Sequence, residues 1–165
     1  MHPYPKESHH QPFAQWLKNE LDECTEAVVL GGSSLGKKWG TPDVIGVYKP
    51  SKRDIVQFQP EVISAEIKLD SRDPITAFGQ AIAYRLFSSK VYLVEPVTIA
   101  PEDLDRIESI CILFGLGLIL FELDVAKPNF RIRVRAQKFN PDVFYTNELE
   151  DRLFETNIEL FDQLF

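Results

Sequence analysis

Cysteine is scarce in this chain, with only two residues among 165. Cys24 and Cys111 stand far apart and form neither a disulfide framework nor the spacing of a metal site. This scarcity argues against a small secreted domain held together by disulfides. It favours a reduced, cytoplasmic setting for the protein.

Long hydrophobic segments are also missing. The longest apolar run, at 112–121, is too short to cross a bilayer and is typical of a buried strand. No basic and then apolar leader opens the sequence, so we expect neither secretion nor a membrane location. The glycine-rich stretch 31–37 lacks the spacing of a P-loop, which disfavours a small-molecule enzyme of that kind.

Basic residues are fewer than acidic residues, 18 against 25, and the formal net charge is −7. An overall negative charge weakens long-range attraction to nucleic acid. The segment 31–90 nevertheless carries a local balance of +3, against −10 for the remainder. Lys49, Lys52 and Arg53 lie near the tip of a predicted hairpin, where they would either contact phosphates or simply keep the tip soluble. Both interpretations of this local positive charge stay open.

The length and a hydrophobic content of 44% predict one α/β domain with a substantial core. We expect a disordered tail over 1–11, a single domain over 12–165 and an acidic C-terminal helix over 145–165. Strands that alternate with helices after an initial hairpin predict a mixed sheet covered on both faces. The predicted helices are 12–24, 73–88, 101–115 and 145–165, and the predicted strands are 27–30, 43–50, 61–70, 91–96, 116–123 and 130–137.

Two charges interrupt the apolar strand predicted at 61–70. Glu66 and Lys68 alternate with Ala65 and Ile67, so both charged side chains leave the strand on the same face. Asp43 opens the preceding strand, and hairpin pairing would bring it beside Glu66. Two carboxylates, together with the Ile67 carbonyl, form a plausible ligand set for Mg²⁺. A lysine beside them would orient or deprotonate an attacking water.

The dipeptide Pro42-Asp43, followed after a hairpin by Glu66-Ile67-Lys68, resembles the PD-(D/E)XK nuclease superfamily, which has the restriction-endonuclease-like fold. Its common core has the order α-β-β-β-α-β, which is the order predicted here for residues 12–96. The resemblance implies that Asp43 and Glu66 hold Mg²⁺ or Mn²⁺. It also implies that Lys68 assists the water.

Branches of this superfamily add further residues from two helices. Some have an acid on the first helix, and Glu20, close to the middle of the apolar stripe predicted for that helix, is the matching candidate. Others have a glutamine and a tyrosine on the helix after the lysine strand. Gln80 and Tyr84 match this pair, because residues four apart share one helix face.

The sequence therefore predicts a Mg²⁺-dependent nuclease that hydrolyses phosphodiester bonds of DNA, with RNA as a second substrate class. The alternative is an inactive subunit of the same fold, in which Asp43, Glu66 and Lys68 form a closed ion-pair network. The helix at 145–165 carries more apolar residues than one stripe needs. It would either cover its own core or join a homodimer or larger complex.

Overall fold

The computed structural model describes residue 5 and residues 7–32, 35–36 and 40–165. The first helix, α1, spans His10–Asn19 and therefore begins before Pro12. His9 and His10 are buried, and the His9 Nε2 atom lies 3.1 Å from the Leu123 carbonyl oxygen. The predicted disordered tail is thus wrong for residues 9–11, because both histidines pack against the domain. Residues 1–4 and 6 lie outside the described residues.

The predicted mixed sheet is confirmed. In the described residues it has six strands, and their order in space follows their order in the chain. The first three strands pair antiparallel, the third to the fifth pair parallel, and the sixth returns antiparallel. The strands are β1 (Glu26–Val29), β2 (Val44–Tyr48), β3 (Glu61–Ile67), β4 (Lys90–Pro96), β5 (Gly117–Phe121) and β6 (Arg131–Val134).

Four further helices follow α1 in the described part of the chain. They are α2 (Pro74–Ala83), α3 (Pro101–Phe114), α4 (Val143–Thr156) and α5 (Ile158–Leu164), and a 3₁₀ turn at Tyr84–Leu86 continues α2. Pro74 fits the first turn of α2, where the Asp73 side chain accepts a hydrogen bond from the Thr76 amide.

The single acidic helix predicted at 145–165 is wrong, because the chain breaks at Asn157. This residue has a non-helical backbone, and its side chain accepts a hydrogen bond from the Leu160 amide at 3.1 Å. Asparagine is among the best residues for starting a helix in this way. Two shorter helices, α4 and α5, result.

Apolar side chains cover the two faces of the sheet with different helices. Helix α1 packs Phe13 and Leu17 against one face, which presents Ala65 and Ile67 of β3. Helices α2 and α3 cover the other face, and α4 and α5 extend this cover over β1 and β2. Each large apolar side chain buried in this way contributes about 1.5–3 kcal/mol. The even-numbered residues of β3, including Glu66, therefore lie on this second face of the sheet.

None of the helices in the described ranges has both the length and the apolar character required to cross a lipid bilayer.

Candidate functional site

Asp43 and Glu66 come together at one end of the β2–β3 pair. Val44 pairs with Ala65, so the register extended by one residue sets Asp43 opposite Glu66. The Asp43 amide donates to the Ala65 carbonyl at 3.0 Å. Its side chain Oδ2 accepts from the Ile67 amide at 2.7 Å. Because paired residues of a sheet project from the same face, the two carboxylates share one surface.

Glu66 is almost fully buried, with 4% of its surface exposed. Its Oε1 atom accepts from the Lys68 ammonium at 2.7 Å. Its Oε2 atom accepts from the Tyr84 hydroxyl at 2.6 Å. Burial raises the pKa of the Glu66 carboxyl, and the negative charge of Asp43 raises it further, against the opposing contacts to Lys68 and Tyr84. Two acids so placed favour a cation between them.

Lys68 is held between a strand and a helix. Its ammonium donates to the Gln80 Oε1 atom of α2 at 2.7 Å, in addition to the Glu66 carboxylate. The amide oxygen of Gln80 is neutral, so it directs the lysine without competing as a charge. About a quarter of the Lys68 side chain, 27%, stays exposed to solvent. The amine is therefore fixed in direction and still accessible.

Tyr84 fixes the position of the Glu66 carboxylate by a hydrogen bond. The hydroxyl is within reach of two acceptors, Glu66 Oε2 at 2.6 Å and the Thr41 carbonyl at 3.2 Å. Burial, followed by the negative charge of Glu66, raises the pKa of the Tyr84 hydroxyl well above its ordinary value of 10. Tyr84 therefore remains a protonated donor that fixes the direction of the Glu66 carboxylate.

The structure thus joins five of the residues singled out in the sequence. We call them the charged cluster, and they are Asp43, Glu66, Lys68, Gln80 and Tyr84. Ile67, the predicted carbonyl ligand, is the last residue of β3 and lies between Glu66 and Lys68 in the chain.

Glu20 does not join the charged cluster. Helix α1 ends at Asn19, so Glu20 caps the helix and is exposed rather than lying on its apolar stripe. Helix α1 also packs against the face of the sheet that presents Ala65 and Ile67, opposite to Glu66. The prediction of Glu20 as a metal ligand from the apolar side of α1 is therefore wrong for this arrangement.

The carboxylates of the charged cluster suit Mg²⁺ or Mn²⁺ better than a metal that needs several side-chain ligands. Within the described ranges, no group of three or more His, Cys, Asp or Glu side chains is arranged to hold a metal ion. Mg²⁺ usually keeps several waters and takes one or two carboxylates together with phosphate oxygens of a substrate. Asp43 and Glu66 fit this pattern, because they are two carboxylates on one face. The charge of Asp43 raises the pKa of Glu66, and a bound cation would offset this repulsion.

The basic residues of the β2–β3 connection lie away from the charged cluster. Strand β2 leads away from Asp43, and β3 returns to Glu66, so the connection at 49–60 is at the opposite end of the strand pair. Five residues of strand span roughly 17 Å. Lys49 donates to the carbonyl oxygen of the C-terminal Phe165 at 3.0 Å, which gives it a structural contact.

One further acid near the charged cluster was not singled out in the sequence. Glu95 of β4 has no exposed surface, and neither of its carboxylate oxygens has a hydrogen-bond partner. Burial raises the pKa of Glu95 from 4.5 to about 8, the Lys68 charge opposes this shift, and Asp70 and Glu66 add to it. The sequence did carry a signal, because Glu95 interrupts an apolar strand just as Glu66 does.

No protein-family model, curated protein or solved structure gives a significant match to this chain.

Proposed function

We propose that this protein is a Mg²⁺- or Mn²⁺-dependent nuclease of the PD-(D/E)XK type that hydrolyses phosphodiester bonds of DNA. The observation that carries the proposal is the meeting of Asp43, Glu66 and Lys68 on one face at the end of two adjacent strands. Residues of these types, in this chain order, are what the resemblance requires.

The architecture supports the same proposal. The chain runs α1-β1-β2-β3-α2-β4, with β1 to β3 antiparallel and β4 parallel to β3. This is the element order of the restriction-endonuclease-like core. Gln80 and Tyr84, which the resemblance also named, contact Lys68 and Glu66 from the next helix and the turn after it. The sequence had paired Gln80 with Tyr84, and the contacts connect each of them to a residue of the proposed site.

Asp43 and Glu66, with the Ile67 carbonyl, would hold the divalent cation. When bound, such a cation supplies positive charge that activates a water and neutralises the scissile phosphate. Tyr84 orients the Glu66 carboxylate for this task through its 2.6 Å hydrogen bond. Because Tyr84 is buried and remains protonated, it is a hydrogen-bond donor to Glu66 in the metal-free site.

Lys68 would act directly on the reacting groups. Its ammonium, directed by Gln80, lies at the partly exposed side of the charged cluster, where it can orient the water and offset charge on the phosphate. In the hydrolysis, the water oxygen bonds to phosphorus and the bond to the leaving sugar oxygen breaks. The proton lost by the water passes to solvent, and the leaving oxygen takes up a proton from solvent.

The acidic composition shapes how DNA would reach the site. A net charge of −7 gives weak long-range attraction, so a second subunit or a partner protein would help to deliver the substrate. Phe154 and Ile158 on the C-terminal helices are about half exposed, at 52% and 51%. They provide an apolar surface for such an assembly.

A second candidate function is a structural or regulatory subunit without activity. Both oxygens of Glu66 already have partners, Lys68 and Tyr84, and this arrangement resembles a closed ion-pair network. In that case, the charged cluster would stabilise the end of the sheet and would bind no metal.

Metal binding and DNA cleavage test the proposal together. We expect the wild-type protein to bind Mn²⁺ in calorimetry and to cleave plasmid or linear DNA with Mg²⁺ or Mn²⁺. Lys68→Ala should lower the cleavage rate by about 10²–10⁴, which is the usual contribution of a positioned catalytic group. Glu66→Gln should weaken metal binding as well.

Glu23→Gln provides the matched control. Glu23 is also a mostly buried acid paired with a lysine, Lys90, but it lies at the other end of the sheet. Cleavage that survives both Glu66→Gln and Lys68→Ala would refute the assignment of the site. A wild-type protein that neither binds Mn²⁺ nor cleaves DNA or RNA would favour the inactive subunit.

A further inference from the structure

Glu95 lies directly across from Lys68 on the neighbouring strand. In the parallel β3–β4 pair, Glu66 matches Leu93 and Ile67 matches Val94. The Lys68 amide continues this ladder by donating to the Val94 carbonyl at 2.9 Å. The next match in the register is therefore Lys68 with Glu95. Neighbouring strands are only about 4.8 Å apart, so the two side chains leave adjacent points on the same face.

Glu95 is buried without any group that compensates for its polarity. It has no exposed surface, and both of its oxygens lack a hydrogen-bond partner. A buried carboxyl without hydrogen bonds costs several kcal/mol if it is ionised, and some cost remains if it is neutral. Each buried polar group without a hydrogen bond calls for an explanation, and a role in catalysis is one such explanation. Lys68, which the register sets beside Glu95, is close enough for its positive charge to lower the pKa of Glu95.

A divalent cation bound at Asp43 and Glu66 would weaken the contact of Lys68 with Glu66, while its contact with Gln80 could remain. Two of its three protons point to Glu66 Oε1 and to Gln80 Oε1, each at 2.7 Å. A cation held by Asp43 and Glu66 would compete with the ammonium for the same carboxylate. The positive charges of the metal and of Lys68 would also repel each other. Lys68 then needs another anionic partner close to Gln80.

We propose that Glu95 is a positioning residue, the second carboxylate acceptor of the Lys68 ammonium, engaged when a divalent cation occupies Asp43 and Glu66. This inference rests on the proposed function, because it assumes that the charged cluster binds metal. Lys68 turns from Glu66 toward Glu95 by rotation about its side-chain bonds, while Gln80 remains its neutral partner. As the ammonium approaches, the Glu95 carboxyl releases its proton to solvent and accepts the ammonium as a carboxylate. The lysine thus stays within the site instead of moving out to solvent.

Glu95→Gln tests this role, because it keeps the shape of the side chain and removes the carboxylate. We expect the Mn²⁺ dissociation constant and the KM for DNA to stay within about twofold of wild type, since Glu95 holds neither ligand. The kcat should fall about tenfold, which corresponds to a loss of transition-state stabilisation by Lys68. Glu23→Gln, the paired acid at the other end of the sheet, should leave kcat unchanged.

The ammonium signal of Lys68 gives a readout that a merely structural residue would not move. In protein labelled with ¹⁵N-lysine, the signal is assigned by its loss in Lys68→Ala. In the wild type, we expect it to shift when Mg²⁺ is added and to remain protected from rapid exchange with water. In Glu95→Gln, we expect Mg²⁺ to remove this protection, because the displaced ammonium has no carboxylate to bind.

The outcomes separate the two proposals. A wild-type protein that binds Mn²⁺, and a Glu95→Gln variant with wild-type kcat and a protected Lys68 signal in Mg²⁺, would overturn the role of Glu95 and leave the nuclease intact. A wild-type protein that binds metal without cleaving DNA would count against the nuclease, and the Lys68 signal would still decide the role of Glu95. Absence of metal binding in the wild type would overturn both.

Discussion

Strand β4 carries a charged residue at each end, and the two ends differ. At one end, Lys90 donates to Glu23 at 2.7 Å and forms a mostly buried ion pair. At the other end, Glu95 is completely buried and has no hydrogen bond. The first end ties the segment after α1 to the sheet. The second lies beside the charged cluster, where we propose that Glu95 positions Lys68.

The largest expected effect is a pH dependence of stability that comes from Glu95. In the metal-free folded state, where Lys68 contacts Glu66, Glu95 holds its proton up to about pH 8, whereas the unfolded chain releases it near 4.5. Between these values the folded state binds more protons, so the free energy of unfolding falls as the pH rises. The loss is on the order of 4 kcal/mol from Glu95 alone.

Urea unfolding from pH 5 to 8.5, with a chelator present, measures this effect as wild type minus Glu95→Gln. The difference isolates Glu95 from Glu66, Asp70 and Lys68, which act on its pKa and remain in both proteins. A difference that does not change with pH would mean that Glu95 has an ordinary pKa. It would remove the contrast between the two ends of β4.

A smaller loss of stability is expected at the Lys90 end of β4, where Lys90 pairs with Glu23. Glu23→Gln leaves Lys90 without its carboxylate, and removal of one member of a fully buried pair costs about 3–5 kcal/mol. Because 27% of the Lys90 side chain is exposed, we expect a smaller loss of roughly 2 kcal/mol. Thermal unfolding at pH 7 measures it. A stabilised Glu23→Gln variant would contradict the structural role of this pair.

The smallest expected effect concerns the hydrogen bond between Tyr84 and Glu66. Tyr84→Phe removes the donor 2.6 Å from Glu66 Oε2, so the pKa of Glu66 should rise further and the metal should bind less well near neutral pH. We expect kcat/KM for DNA to fall about tenfold at subsaturating Mg²⁺. Cleavage rates over a series of Mg²⁺ concentrations measure this loss.

Tyr92→Phe is the control for that measurement. Tyr92 is also a completely buried tyrosine, but it packs on the opposite face of the sheet with the α1 core. It should leave kcat/KM unchanged. Equal losses of kcat/KM in both variants would show that removing any buried tyrosine hydroxyl lowers activity, and that Tyr84 has no specific role.

Much of the charged cluster could be predicted from local rules. Side-chain alternation along β3 set Glu66 and Lys68 on one face, and hairpin pairing brought Asp43 to them. Gln80 and Tyr84 were singled out by the resemblance, and their four-residue spacing is consistent with one side of a helix. These rules depend on neighbours in sequence or on one antiparallel pair. They therefore needed no knowledge of the full fold.

The errors fall where tertiary packing decides. Helix α1 begins at His10 and ends at Asn19 because of its contacts with the sheet, so Glu20 leaves the predicted apolar stripe. In α2, Ile75 is 62% exposed, because the small residues Ala77 and Ala81 face the sheet instead. The spacing of hydrophobic residues in the sequence does not reveal where a helix ends or which small residues contact the sheet.

Glu95 was missed for a different reason. Its relation to Lys68 arises from a parallel pair, β3 with β4, whose strands are separated by α2 and the 3₁₀ turn. Parallel partners cannot be aligned from a hairpin, so the register of β4 is not visible in the sequence. The interrupted apolar strand could have drawn attention to Glu95, but it could not have identified its neighbour.

The side-chain bond from Asp43 to the Ile67 amide has a consequence for folding. The Asp43 carboxylate adds one further hydrogen bond to the β2–β3 pair. The side chain that makes this bond is the one that we propose as a metal ligand. A slip of one residue would break that bond and send Glu66 toward Phe13 and Leu17, among purely apolar neighbours. A chain misaligned in this way is penalised at once, so a correctly paired hairpin already contains an assembled pair of carboxylates.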